Sequence, residues 1–130
     1  MEWKILLTEK YASWFLCLTT EEQIEIQTAV DVLEILGPYL RRPLSDSVKG
    51  ASKVSNLKEL RIQHRGKPYR VFYAFDPNRM AVLLCGGRKD GSGDKHFYQR
   101  MIRLAEEEFE NHLSNIIRSN ERSKNDSIIE

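Results

Sequence analysis

Long hydrophobic runs are absent from this sequence of 130 residues. No apolar stretch approaches the ~20 residues that a membrane-spanning helix needs, and residues 1–10 lack the apolar segment of a secretory signal peptide. Cysteine is scarce as well, since Cys17 and Cys85 stand far apart and match no CxxC or zinc-ligand spacing. These absences predict a cytoplasmic protein that has no membrane partner and keeps both thiols reduced.

Several catalytic signatures are also missing. The sequence has no GxSxG, P-loop or HExxH motif, so it gives no support to acyl transfer, nucleotide hydrolysis or zinc catalysis. Residues 38–103 carry fifteen Lys and Arg but only five Asp and Glu, whereas a magnesium-dependent nuclease usually needs clustered acids. We therefore predict no metal site and no cofactor. The basic excess is typical of polyanion binding, although solvated surface charges would explain it equally well.

Three consecutive strands are predicted between residues 56 and 87. Their alternating pattern turns one set of apolar residues toward a core: Leu60, Ile62, Val71, Tyr73 and Phe75. Arg61 and Arg70 then share the other face of the sheet, which we expect to be open. Gly66 marks the first turn and Asp76-Pro77-Asn78 marks the second.

The other elements are predicted from apolar periodicity and capping residues. A short strand near residues 3–7 precedes two helices, and the second helix begins at overlapping Thr19 and Thr20 capping boxes and stops at Gly37-Pro38. Residues 39–55 form an extended connection, residues 88–93 a flexible basic loop, and Asp94 starts a last helix. We expect one domain over residues 1–113 and a frayed polar tail over residues 114–130.

Candidate functional residues surround the predicted strands. Basic side chains in the connection and the last helix could reach a phosphate backbone: Arg41, Arg42, Lys49, Lys53, Lys95 and Arg100. The basic start of the last helix opposes the helix macrodipole, which favours an anion site there. His96 is a candidate general base, although a lone histidine is more often structural. Gly86-Gly87 could cradle a phosphate.

Several short stretches carry a family resemblance. They are LGP at 36–38, RPL at 42–44, LKELR at 57–61, PYRVFYAF at 68–75, LLCGGRK at 83–89, GDK at 93–95 and FY at 97–98. Between about residue 3 and residue 113 the chain resembles the RelE/ParE superfamily of toxins, and it is most similar to the HigB-like, phage-related branch of type II toxin–antitoxin systems. The resemblance implies a RelE-like α+β fold. Its small, mostly antiparallel sheet would have about four strands, an N-terminal strand plus a three-strand meander, packed against two N-terminal helices with a C-terminal helix following.

The resemblance also implies a function. It indicates an endoribonuclease toxin, or mRNA interferase, that binds RNA and the ribosome, inhibits translation and is held inactive by a cognate antitoxin, a small helix-turn-helix protein. In such enzymes the 2′-OH attacks the adjacent phosphate without a metal ion, which only RNA allows. By this resemblance, Arg70 would neutralise the pentacoordinate phosphate, with Arg61 beside it. Arg88 or Lys89 would contact a phosphate or the leaving group.

The proton-transfer residues and the activity itself stay open in this comparison. Tyr98, with His96 as competitor, would stack on a base or assist proton transfer. RelE has lysines alternating along the strand where this chain has Leu57 and Glu59, so the candidate general bases are Glu59 and His96, and Glu59 could equally be a structural partner of Arg61. Two other activities fit the same fold: a non-nucleolytic, ParE-like toxin that binds DNA gyrase, and an RNA- or DNA-binding module without catalysis.

Overall fold

The fold is an α+β arrangement in which a five-stranded sheet lies between helices on both faces. The computed structural model of the protein describes residues 2–89 and 93–129, with side chains through residue 124. The elements in chain order are β1 (Ile5–Leu7), α1 (Glu9–Leu16), α2 (Thr20–Leu36), β2 (Ser45–Ser47), β3 (Lys58–His64), β4 (Lys67–Phe75), β5 (Ala81–Arg88) and α3 (Asp94–Ile129). The centre of the loop predicted at residues 88–93 lies outside the described residues.

The strands follow the order β1-β5-β4-β3-β2. β1 runs parallel to β5 and every other pair is antiparallel, so the mostly antiparallel sheet is confirmed. The expected number of about four strands is too low, because β2 lies within the connection at residues 39–55. Its sequence, SDS, shows no apolar alternation and no β-branched residue. Pairing with the edge of β3, and not local preference, therefore creates this strand.

Capping residues determine where the first two helices begin. The Thr8 hydroxyl accepts a hydrogen bond from the Tyr11 N–H at 3.1 Å before α1. Thr19 forms a complete capping box with Glu22 before α2, so the structure uses the first of the two overlapping boxes. α2 ends at Leu36, and Gly37, at φ +54°, leads into a short 3-10 turn. The predicted Gly-Pro stop is confirmed.

The alternation along β3 and β4 produces two buried apolar faces. One faces α1 and α2 and includes Leu60, Ile62, Val71 and Tyr73. The other faces α3 and includes Phe72, Ala74, Val82 and Leu84 against Phe97, Met101 and Ala105. The expectation that the face of Arg61 and Arg70 is open is wrong at Arg70, where α3 packs on the sheet and leaves only 6% of the residue exposed, but it holds at Arg61, whose side chain is 41% exposed. Alternation indicates which residues share a face, but not what covers it.

The last helix is longer than the sequence suggests. We expected a frayed tail after residue 113, but α3 continues to Ile129. Residues 114–129 contain no Gly or Pro, so nothing in their local preference stops the helix. His112 Nε2 lies 2.7 Å from Asp76 Oδ2, which fixes α3 to the turn after β4. Within the described ranges, no helix is both long and apolar enough to cross a membrane.

Candidate active site

At two places in the antiparallel part of the sheet, side chains of like charge lie directly opposite each other. Arg61 lies opposite Arg70, and Asp46 lies opposite Glu59. Like charges directly opposite each other destabilise a sheet, but here the pairs interleave so that each arginine lies near a carboxylate. Unfavourable local arrangements of this kind are expected at functional sites.

Tyr98 joins Arg70 to Glu59. The phenol of Tyr98 donates a hydrogen bond to Glu59 Oε1 at 3.1 Å, and its oxygen accepts one from Arg70 Nε at 3.2 Å. Arg70 also donates through Nη1 to the backbone carbonyl of Tyr69 at 3.0 Å. We call Glu59, Arg70 and Tyr98 the Tyr98 cluster. Since these residues come from β3, β4 and α3, the cluster exists only when α3 is docked on the sheet.

Glu59 is buried although it is a carboxylate. It is 5% exposed, and its Oε2 has no hydrogen-bond partner among the described residues. Burial raises the pKa of Glu59, and this effect outweighs the opposing influence of the Tyr98 hydrogen bond and the nearby arginines. Burial also raises the pKa of Tyr98. The cluster thus combines a carboxylate of increased proton affinity with a neutral phenol, which together can accept and pass on a proton.

Arg61 extends the Tyr98 cluster toward the surface. Its Nε lies 3.6 Å from Glu59 Oε1 and its Nη1 lies 3.9 Å from Asp46 Oδ2. Asp46 is in turn 3.0 Å from Arg42 Nε. The Arg61 side chain is 41% exposed and that of Arg70 only 7%, so Arg61 is the more accessible of the two arginines. Sequence analysis does not single out Asp46, because β2 is not predicted.

Lys89 lies at the Tyr98 cluster and Arg88 does not. Lys89 Nζ lies 5.8 Å from the centroid of the Tyr98 ring and 3.0 Å from Asp94 Oδ1. Arg88 is paired with Tyr69 in the sheet and lines a depression beside the start of α2, on the opposite face. Of these two candidates, the structure therefore brings only Lys89 to the cluster.

The candidate proton acceptors are also separated. Glu59 lies within the Tyr98 cluster, whereas His96 is exposed on the first turn of α3. A groove next to Tyr98 runs between α3 and the loop that joins β2 to β3, and His96 does not line it. The ring of Tyr98 makes edge-to-face contacts with Phe72 and Phe97, at centroid distances of 6.0 and 5.4 Å. These contacts fix the phenol in place beside Glu59.

The six residues predicted to bind RNA lie at the surface in three places. Lys49, Lys53 and Lys95 line the groove next to Tyr98. Arg41 and Arg42 line a separate depression with Asp46. Arg100 lies over the ring of Phe97, with its guanidinium carbon 5.8 Å from the centroid. In the described part of the chain, no group of three His, Cys, Asp or Glu side chains could hold a metal ion.

Gly86 and Gly87 allow close packing on opposite faces of the sheet. A Cβ on Gly86 would lie 2.3 Å from the Trp14 ring, and one on Gly87 would lie 3.2 Å from Met101 Cε and Phe97 Cε2. Side chains therefore occupy the space that a phosphate would need. The predicted phosphate cradle is wrong, because α1 covers one glycine and α3 covers the other.

Replacing Glu59 by Gln should change how stability depends on pH. The folded-state pKa of Glu59 is raised above its ordinary 4.5. The wild-type protein therefore loses the contribution of Glu59 to stability as the pH rises from 4.5 through the raised, folded-state pKa. Glu59→Gln has no such loss. We expect the free energy of unfolding of the variant, relative to wild type, to increase as the pH rises above 4.5 in urea titrations.

Asp46→Asn is the matched control for this experiment. A hydrogen bond from Arg42 holds the pKa of Asp46 below its ordinary value, so wild type gains stability from this residue as the pH rises. The stability of Asp46→Asn relative to wild type should therefore fall with pH. The same slope for both variants would contradict the assigned environment of Glu59.

The architecture is that of solved RelE toxins. A mutant of the Escherichia coli toxin RelE in the free state aligns with a TM-score of 0.51 and 13% identity, over 71% of this chain and 88% of that one. A chain of the archaeal RelE–RelB complex from Pyrococcus horikoshii OT3 aligns with a TM-score of 0.51 and 18% identity, over 72% and 100%. These similarities show that the protein is a RelE-like α+β protein, as the sequence predicts.

Relatives in sequence identify the family. Residues 13–110 match the family model of phage-derived Gp49-like proteins. HigB3 of Mycobacterium tuberculosis, named as a toxin, is 38% identical over 110 residues, which cover 85% of this chain and 93% of HigB3. HigB2 of the same organism, also named as a toxin, is 38% identical over 107 residues, which cover 82% of this chain but 52% of HigB2. The chain belongs to the phage-derived Gp49-like family and is a toxin-type protein of the HigB/RelE kind.

Proposed function

We propose that the protein is the toxin of a type II toxin–antitoxin module and acts in the cytoplasm as an endoribonuclease on mRNA at the ribosome. The observation that carries the proposal is the Tyr98 cluster, in which buried Arg70 and Glu59 meet at a phenol, with Arg61 beside Glu59 and Lys89 beside the phenol ring. RNA supplies its own nucleophile, the 2′-OH, beside each phosphate. The protein then has to supply cations, a proton acceptor and a proton donor.

The proposed reaction uses each residue of the cluster. The 2′-oxygen forms a bond to the adjacent phosphorus, and the bond from phosphorus to the 5′-oxygen breaks. The 2′-OH proton passes to the Tyr98 oxygen while the phenolic proton moves to Glu59, along the existing 3.1 Å hydrogen bond. Arg61 contacts the phosphate oxygens, Arg70 adds positive charge beneath them, and Lys89 gives a proton to the leaving 5′-oxygen. The products are a 2′,3′-cyclic phosphate and a 5′-hydroxyl end.

The chemistry of the mRNA ends tests this proposal. Expression without the antitoxin should produce new 2′,3′-cyclic phosphate and 5′-hydroxyl ends, and co-expression of the antitoxin should remove them. With purified protein and programmed ribosomes, an mRNA that carries 2′-deoxyribose at the cleaved position should resist cleavage, since it lacks the nucleophile. Growth arrest with intact mRNA and inhibited DNA supercoiling would instead indicate a gyrase-binding toxin.

The proposal includes a partner that blocks the site. One solved structure of the same fold is a RelE–RelB complex, which supports an antitoxin for this chain. Residues 38–103 are strongly basic, so an acidic segment that covers Arg61 and Lys89 would complement their charge. We propose that a small helix-turn-helix protein encoded beside the toxin supplies this segment.

A further inference from the structure

A basic groove extends from Tyr98 along the first turns of α3. Its volume is about 700 Å³, within the range of roughly 300–1,000 Å³ that is common for small-molecule sites. The loop between β2 and β3 forms one wall and α3 forms the other. Its lining includes the polar side chains of Lys49, Lys53, Lys95, Tyr98, Gln99 and Arg103.

Glu106 fixes the loop wall of this groove. The carboxylate of Glu106 is buried, and its Oε2 accepts the backbone N–H groups of Lys53 and Val54 at 2.5 and 2.9 Å. Gly50 faces the other wall, where an added Cβ would lie 3.9 Å from Ile102 Cδ1, an ordinary van der Waals distance. The loop lysines therefore project from a backbone that is anchored to α3.

The charge of the groove is positive. Four cationic side chains line it, and Glu107 and Glu106 are the acids among the lining residues. Because Glu106 already accepts two backbone donors, its charge is directed at the loop backbone and not at a ligand. Ile102 and the Tyr98 ring supply apolar surface, and the Gln99 amide offers both a donor and an acceptor.

We propose that this groove binds the nucleotide adjacent to the scissile phosphate in single-stranded RNA. Tyr98 belongs both to the Tyr98 cluster and to the groove wall, so a strand held at the cluster continues into the groove at its next nucleotide. The cations contact phosphate, the apolar surface contacts the base, and Gln99 hydrogen-bonds the base edge. This inference rests on the proposed function and adds a base-reading position to it.

Salt-dependent RNA binding tests the groove without requiring cleavage. The probe is a fluorescent RNA oligonucleotide that is 2′-O-methylated throughout and therefore lacks the nucleophile. The triple variant Lys49→Ala/Lys53→Ala/Arg103→Ala should lower the slope of log affinity against log salt by about 2, or about 0.7 per lost phosphate contact. The matched control Arg118→Ala/Arg122→Ala/Lys124→Ala also removes three positive charges, from the exposed part of α3, and should keep the wild-type slope.

Gln99→Ala tests base reading. In mapped mRNA ends, the base preference at one position next to the cut should weaken relative to wild type. If wild type cleaves RNA and the groove variant keeps the wild-type slope, the nucleotide site is refuted and the nuclease proposal stands. If wild type does not cleave but the slope falls only in the groove variant, the groove is supported and the nuclease proposal fails. A groove variant that loses antitoxin binding but keeps its RNA slope would show that the groove is an antitoxin contact, which also refutes the inference.

Discussion

Arg70→Ala is expected to lower the rate of mRNA cleavage by about 100- to 1,000-fold, the effect typical of removing one preorganised donor from an active site. Arg70 donates to the Tyr98 oxygen and to the Tyr69 carbonyl from a nearly buried position. Its loss removes positive charge beneath the phosphate and one of the two polar contacts that orient the phenol. The measurement is the single-turnover cleavage rate of purified protein with programmed ribosomes.

Arg88→Ala is the matched control for Arg70→Ala. Both residues are arginines on neighbouring strands, but Arg88 lies on the face of α2, so cleavage should stay within a few-fold of wild type. Arg70→Lys keeps the positive charge but lacks the Nε–H group, so it should fold and still be impaired in cleavage. A loss of activity in this folded variant is a catalytic effect, and not the cost of leaving the buried Glu59 carboxylate without a cation. Greater loss of activity in Arg88→Ala than in Arg70→Ala would show that the active site lies on the other face.

Gly86→Ala is expected to destabilise the protein by about 1–3 kcal/mol, the usual cost of forcing extra volume into a packed interior. The added Cβ would lie 2.3 Å from the Trp14 ring, so the ring or the whole of α1 must shift away from β5. Gly87→Ala is the control, because its Cβ would lie 3.2 Å from Met101 Cε and Phe97 Cε2, so the neighbours need to shift less than Trp14 does and the cost should be smaller. Urea denaturation gives both values.

The double variant Gly86→Ala/Trp14→Leu identifies the cause of that loss. A smaller side chain at position 14 should relieve the clash, so the two substitutions should destabilise by less than the sum of their separate effects. A Gly86→Ala protein of wild-type stability that no longer cleaves RNA would favour the phosphate cradle that the structure argues against.

Much of the fold can be predicted from local patterns. The alternation along β3 and β4 correctly places Arg61 and Arg70 on one face, and the Thr19 capping box correctly marks the start of α2. These features depend on side-chain period and on neighbouring residues, both of which are visible in the sequence. β2 depends instead on a partner strand more than ten residues away, and no local pattern indicates it.

The positions of Arg88 and Lys89 show why the site is harder to predict. The register between β4 and β5 shifts between Phe72 and Tyr73. This irregularity puts Leu84 and Cys85 both on the face of α3, which reverses the alternation for the rest of β5. Arg88 consequently faces α2 and Lys89 faces Tyr98. Strict alternation along β5 from Leu84 would give the opposite assignment.

The burial of Glu59 likewise depends on the tertiary structure. Its partner Tyr98 is 39 positions later in the chain, and the two meet only because α3 returns across the sheet. The sequence offers Glu59 and His96 as equivalent candidate bases, whereas their environments in the structure differ completely: one is enclosed beside a phenol and the other is exposed.

The position of α3 in the chain affects when the site forms during synthesis. All five strands precede α3, so Arg61 and Arg70 leave the ribosome before Tyr98 and Glu106 do. A nascent chain that ends at β5 has Arg61 and Arg70 but lacks Lys89, the phenol of Tyr98 and the Glu106 anchor of the basic loop. On the proposed function, a newly made toxin therefore cannot cleave the mRNA that encodes it until α3 has been translated and has docked.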